Sequence, residues 1–370
     1  MRARSGITPA EILRLRLENQ ALARASFRNP AEVVAWFGAM QAQDYLGSLW
    51  AIGLRLRSAT EARVEAAAAE RAIVRTWPMR GTLHFVAAAD VRWMTGLLAP
   101  RVIARNAARY KKEFDIDASL LGRSREVVTG ALNGGKRLGR NAIYQALEAG
   151  RIRTGSSRGL HILLWLAMEG TLCLAGRDGK QHTFALLDEW IPNSREVERD
   201  AALAALAQRY FTSHGPATLH DFMWWAGITA KDAGIAVDGA QRQLVREVVD
   251  GHTYWMAARR AGLRRPASKA ASAVLVCLLP AFDEYTVAYQ DRSILAASVR
   301  KRMNAAAKLL NPVILVDGQV VGSWKRTLAK SSVRVETKLH RGLNRAEQDA
   351  LRTGVERFGK FLGLDAQLHG

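Results

Sequence analysis

Residues 41–44 read Gln41-Ala42-Gln43-Asp44, two carboxamides one residue apart followed by a carboxylate. A carboxamide donates and accepts hydrogen bonds at once, so a convergent pair can hold one water molecule in a fixed orientation. Neither amide is basic enough to deprotonate that water. Such a pair therefore helps only by positioning and polarising it, which suffices where the leaving group is already good. On a continuous helix the two side chains would diverge by about 200°. They converge in extended backbone or where a helix ends. The other reading is two polar residues on a solvated helix end. Asp44 either adds a carboxylate to the pair or caps the following helix.

Other polar residues stand in suggestive places. Arg80 lies at a tight tip, Pro78-Met79-Arg80-Gly81, fit for a phosphate or minor-groove contact or for plain solvation. His84 follows on an alternating stretch, facing the same cleft or satisfied in the core. Asp283, Glu284, Tyr285, Tyr289, Asp291 and Arg292 form a dense polar cluster beside an apolar run, suited to an Asp–Arg network at a domain junction or to buttressing a cleft. Trp224 and Trp225 share a helical stretch where tryptophans ordinarily serve the core. Basic residues gather at expected tips: Arg123/Arg125, Arg151/Arg153/Arg158, Arg177/Lys180, Arg259/Arg260/Arg264/Arg265 and Lys325/Arg326/Lys330. They are expected to line one concave surface that follows a phosphate backbone.

Composition points to the same partner. The 370 residues carry 54 Lys+Arg against 34 Asp+Glu, a formal charge of +20. That excess raises the local concentration of polyanions, with nucleic acid first and an anionic membrane surface second. Arg dominates the basic set and offers a planar fork for phosphates and base edges. Cys173 and Cys277 sit far apart in apolar runs and are expected as buried thiols, with no metal-ligand spacing. The N-terminal stretch lacks an apolar signal segment, and the longest apolar run, 273–282, is too short to span a bilayer. A cytoplasmic, nucleoid-associated protein is expected. No Walker-type loop, dinucleotide fingerprint or zinc ligand set occurs, and no cofactor is expected.

The elements that must place these residues repeat. Residues 138–149 and 160–169 predict two helices around a polar turn, and 171–176 and 182–187 predict strands about a basic tip. Helix, turn, helix and hairpin is the winged-helix order. Upstream, helices over 30–40, 48–56 and 59–71 precede strands 73–77 and 82–86. Downstream, helices over 200–212, 219–226 and 229–237 precede strands 244–249 and 253–257. Beyond Arg264-Arg265-Pro266 strand signals dominate, at 274–279, 311–324 and 332–340, ahead of a helix from an Asn344/Glu347 capping box to Leu362. The expected fold is α+β: three tandem winged-helix units over 1–115, 116–195 and 196–265, and a β-rich, barrel-like domain with a terminal helix over 266–370.

The Gln-x-Gln motif at 41–43 resembles that of AlkZ-type bacterial DNA glycosylases, a winged-helix family whose members excise alkylated bases or unhook cross-links. Segments 76–84 (TWPMRGTLH), 214–227 (HGPATLHDFMWWAG), 279–292 (LPAFDEYTVAYQDR) and 318–326 (GQVVGSWKR) resemble the same family. Together they run over most of the chain. The resemblance implies a monofunctional glycosylase acting on duplex DNA, expected as a monomer. Gln41 and Gln43 would hold the attacking water, Asp44 and His84 would support them, and Arg80, Arg153, Arg158, Arg177, Lys180, Lys325 and Arg326 would contact DNA. A 7-alkylguanine is cationic, so its departure needs no strong acid. Some relatives carry an acidic residue in place of the second Gln. Gln43 puts this chain in the branch often found protecting producers of DNA-alkylating antibiotics. The competing class is a winged-helix DNA binder without catalysis.

Overall fold

The computed structural model describes residues 7–258, 274–291 and 311–369. Arg292, the basic cluster at 259–265 and the expected boundary at 265/266 lie outside them. The chain is mixed α+β, as expected.

Its N-terminal third places the Gln-x-Gln segment. Helix α1 (Pro9–Asn19) starts from a Thr8/Glu11 capping box. Helix α2 (Pro30–Phe37) is capped by Asn29 and stops at Gly38, whose φ of +83° a side chain would strain. The helix expected to reach residue 40 thus ends three residues earlier. The chain turns extended into β1 (Ala39–Gln41), then re-enters helix as α3 (Tyr45–Gly53) and α4 (Glu61–Ala69). Strands β2 (Ile73–Met79) and β3 (Thr82–Ala87) form a hairpin, and β1 adds to β3 in antiparallel register, with Gln41 opposite His84.

Two helices with no counterpart in the sequence reading follow, α5 (Val91–Phe114) and α6 (Ala118–Leu132). Then come β4 (Leu138–Gly139), α7 (Arg140–Ala149), α8 (Arg158–Met168), and the hairpin of β5 (Leu172–Asp178) and β6 (Gln181–Leu186). Short helix α9 (Leu187–Trp190) leads to α10 (Arg199–Ser213), α11 (Leu219–Ala226) and α12 (Ala230–Ala240), and to a third hairpin, β7 (Leu244–Val249) with β8 (His252–Ala257). The first two hairpins are fused into one six-stranded sheet, β1-β3-β2-β5-β6-β4, through a contact between Arg75 and Leu174; the third stands apart. A side-by-side join of that kind leaves no mark in local pattern.

Among the described residues the C-terminal part holds a five-stranded sheet, β13-β12-β11-β10-β9, whose edge strands β13 and β9 do not pair with each other. Its strands are β9 (Val276–Leu279), β10 (Val313–Val316), β11 (Gln319–Leu328), β12 (Ser332–Leu339) and β13 (Asp365–His369). Helix α13 (Glu284–Val287) follows β9, and α14 (Arg345–Leu362) starts at the expected Asn344/Glu347 box. One apolar core joins α2–α4 to this sheet and to α14. Trp50 packs on Phe358 and Phe361 with ring centroids 5.0 Å away, and its indole N–H reaches the Leu278 carbonyl at 2.8 Å. Burying each such ring contributes about 1.5–3 kcal/mol. This core holds the β1–α3 corner against residues 279–291, far away in sequence.

Candidate active site

Extended backbone carries Gln41 at the end of β1, and Gln43 follows in a bend just beyond the strand. Gln41 is paired opposite His84, so these two residues share a sheet face. That face otherwise runs into the core beneath α5, α10 and α11, which takes in Ala39, Val74 and Val86. The polar residues lie where that apolar cover ends.

The two amides are held differently. Ala42 N–H bonds the Leu83 carbonyl at 2.7 Å, but Leu83 N–H turns to the Gln43 side chain, Oε1 at 3.3 Å. Gln43 is exposed and keeps its NH2 group available. Gln41 is half-buried, and its Oε1 is a buried acceptor with no hydrogen-bond partner. Two further buried polar atoms beside it lack partners, Arg80 Nε and Thr82 Oγ1. Such groups cost roughly 1–3 kcal/mol each when left unsatisfied, so three around one histidine mark a place for water or ligand.

His84 is fully buried. Its Nδ1 donates to the Thr82 carbonyl at 2.9 Å, leaving Nε2 to accept from Arg80 Nη2 at 3.4 Å. Burial first, and the Arg80 charge second, push its pKa down to about 4. It is a neutral imidazole at physiological pH, able to orient Arg80 but not to act as a ready proton donor. Arg80 has φ +56° and folds back from its turn, with Gly227, which caps the C-terminal end of α11, close against its stem. Asp44 occupies the N-cap position of α3 but makes no capping bond; its carboxylate, 36% exposed, lies 3.8 Å from Arg326.

Glu284 is buried below this face. Its Oε1 accepts Gln41 N–H at 2.7 Å, and its Oε2 accepts Trp225 Nε1–H at 2.9 Å and His214 Nε2–H at 3.3 Å. Burial pushes the carboxyl up, but His214 and the Gln41 N–H outweigh it and hold it down at about 2. The neighbouring Asp283 forms a two-pronged pair with Arg55, both bonds 2.9 Å and both side chains fully buried. Tyr285 donates to the Gly318 carbonyl and Tyr289 to the His214 carbonyl. Asp291 accepts from Tyr254. The cluster thus contains an Asp–Arg junction network, with Arg55 as the Arg, and in Glu284 a direct support of the Gln segment.

The described basic residues have different neighbours. Arg177 pairs with Glu65 and lies 5.0 Å from the Tyr45 ring centroid, and Arg326 faces Asp44, so both flank residues 44–45. Lys180 and Lys325 are exposed. Arg158 instead donates to the Asp115 carbonyl at 2.6 Å, tying α8 to the end of α5, and Arg153 is exposed on the α7–α8 turn. Trp225 is core, as expected, whereas Trp224 is 49% exposed.

Sequence reasoning passed over Arg75, His214 and Arg55. Arg75 carried a signal: it is a charge in the middle of the otherwise uncharged strand IVRTWPM, and lone charges buried in strands are rare. Both cysteines are buried free thiols, and burial pushes each up to about 12. Among the described residues no helix is long and apolar enough to cross a membrane, and no His/Cys/Asp/Glu group suits a metal.

Comparisons with known proteins bear on this geometry. The family model described as DNA glycosylase AlkZ-like matches residues 34–361. An interstrand DNA cross-link repair glycosylase of Streptomyces sahachiroi is 25% identical over 338 residues, 85% of this chain and 87% of its own. The solved structure of the Streptomyces sahachiroi DNA glycosylase AlkZ shares the fold, with a TM-score of 0.79 at 21% identity over 99% of this chain and 100% of that one.

Proposed function

Because the chain belongs to the DNA glycosylase AlkZ-like family, and so is a DNA glycosylase hydrolysing N-glycosyl bonds, we propose that it excises 7-alkylguanine-type purines, cross-linked ones included, with a water held by Gln41 and Gln43. The observation that carries this reading is the unpartnered, buried Gln41 Oε1 beside a Gln43 whose own Oε1 is occupied. The pair then offers one acceptor, from Gln41, and donors, from the Gln43 NH2. A water donating to the first and accepting from the second keeps a lone pair free for the anomeric carbon.

The cationic base leaves with the bonding electron pair as a neutral purine, and the sugar gains oxocarbenium character. Water adds to that carbon and becomes acidic as the bond forms, so its proton passes to solvent without a strong base. The catalytic contribution is orientation and electrostatics. Glu284, the one carboxylate bonded to the Gln segment among the described residues, adds a fixed negative charge below the face where positive charge develops. Asp44 and His84 support the site from its rim and its floor.

The three hairpins serve as wings of three winged-helix units, with monomeric protein on the duplex. Lys180, Lys325 and Arg153, all exposed, and Arg177 and Arg326 beside residues 44–45, make the phosphate contacts. Arg158 contributes through its tie to α5.

The test is release of abasic sites from duplexes carrying 7-methylguanine, a bulky 7-alkylguanine or a cross-link. Wild-type protein yields alkali-labile strands from at least one, and the Gln41→Ala/Gln43→Ala protein yields none above background. Intact DNA with folded wild-type protein on all three contradicts the proposal.

A further inference from the structure

We propose that Arg75 and Glu284 are positioning residues that clamp the Gln41–Ala42 backbone from its two ends and thereby aim both catalytic amides. This rests on the water-positioning reading of Gln41 and Gln43.

Strand β1 is the outermost of its sheet, and Ala42 N–H points at β3. Alternation along an antiparallel strand then turns Gln41 N–H away from β3, toward an open edge. An unpaired edge N–H leaves a three-residue strand free to fray. Glu284 removes that freedom at 2.7 Å, and it is itself fixed by Trp225 and His214, which come from α11 and the end of α10.

Arg75 acts on the other end. In a regular ladder the Ala42 carbonyl would return to Leu83 N–H. Instead it accepts from Arg75 Nη2 at 2.7 Å and Nε at 3.1 Å. Leu83 N–H, released from the backbone, takes the Gln43 side chain. The guanidinium thus diverts one carbonyl, and that diversion lets Gln43 curl back with its NH2 outward. Arg75 comes from β2, across β3, and is only 6% exposed. Its remaining arm, Nη1, meets His182 Nε2 at 3.0 Å from the second hairpin. Three elements distant in sequence therefore fix a dipeptide at the strand end, an anion on the N–H and a cation on the C=O.

Arg75 also lines a cavity of about 310 Å³ with Tyr45, Glu65, Ala66, Arg177 and His182. Truncating it opens the vacated site to a small cation.

The experiment compares single-turnover excision and duplex affinity for wild type, Arg75→Ala, Glu284→Gln and Gln41→Ala/Gln43→Ala, with thermal melts to confirm folding. Arg75→Ala and Glu284→Gln are expected to lose about tenfold or more in single-turnover rate with duplex Kd unchanged. Millimolar guanidinium is expected to restore rate to Arg75→Ala and not to the double-Gln variant. Where Arg75→Ala does not fold, Arg75→Lys replaces it: a charge without the fork is expected to lose rate while binding duplex normally. Wild-type rates in the clamp variants, with the double-Gln variant inactive, overturn the clamp and leave the water-positioning reading intact. Full activity in the double-Gln variant overturns that reading itself.

Discussion

The turn between β2 and β3 and the turn between β5 and β6 both carry arginine and glycine on a short hairpin, yet one is folded into the protein and the other faces solvent. At the first, Arg80 bends onto His84, a side chain on Gly227 would press on its stem, and one on Gly81 would meet Val102 at 3.3 Å. At the second, Lys180 and Asp178 are exposed, and nothing lies within 4 Å of where a Gly179 side chain would begin. What surrounds a turn, not its composition, decides the role. The first tip packs against Gly227 at the end of α11 and onto His84, which stands opposite Gln41. The second is open to solvent at Gly179 and Lys180, while Arg177 behind it pairs with Glu65.

Arg80 gives that contrast its largest test. It is half-buried, its Nε is buried without a partner, and burial lowers its pKa. An arrangement that costs folding energy is expected where it serves function. Arg80→Met is predicted to melt at or above the wild-type temperature while losing on the order of tenfold in single-turnover excision. Melting curves and kinetics on the same preparation check it; a destabilised but fully active variant would erase the distinction between the tips.

His84 sharpens it through pH. An unfolded histidine takes up its proton as pH falls through about 6.5, whereas folded His84 refuses one until about 4. The unfolded chain therefore binds more protons in this window, and stability falls as pH drops from 6.5 toward 4. At pH 5 the loss from this residue is about 2 kcal/mol. Half-buried His182, also lowered to about 4, adds to it with solvent screening, and Glu284 adds a further loss below about 4.5. Denaturant midpoints at pH 7 and pH 5 should differ less in His84→Gln than in wild type. Equal differences would mean that the buried imidazole is not what couples this tip to the core.

The smallest effect belongs to the exposed tip. Lys180→Ala is predicted to weaken duplex binding by about two- to threefold, to lower the salt slope by about one, and to leave the single-turnover rate unchanged. Titrations over a range of salt concentrations measure it. A rate defect at saturating protein would place the second tip in the chemistry as well.

Much of this was legible in sequence because it is local. The hairpins at 73–87, 172–186 and 244–257 follow from alternation about Gly-containing turns, and the Asn344/Glu347 box from capping chemistry. The Gln pair stood out by spacing alone, but the extended backbone at Gln41 follows from Gly38 ending α2 early, and helix-favouring residues through Met40 hid that stop. What joins distant segments left no local trace. Nothing near Glu284 shows that it will meet Gln41, 243 residues away, and the fusion of two hairpins into one sheet rests on one pair of residues. A turn looks alike in sequence whether solvent or another part of the chain lies over it, so the half-burial of Arg80 leaves no local mark.

The central claim is that two amides hold one water. A double-mutant cycle on single-turnover excision of 7-methylguanine measures it directly, using Gln41→Ala, Gln43→Ala, the double variant and wild type. If the pair shares a single water, either substitution removes it, and the double variant is no slower than the slower single variant within about threefold. Losses that multiply would mean that the two amides act separately, and the shared-water account would be wrong.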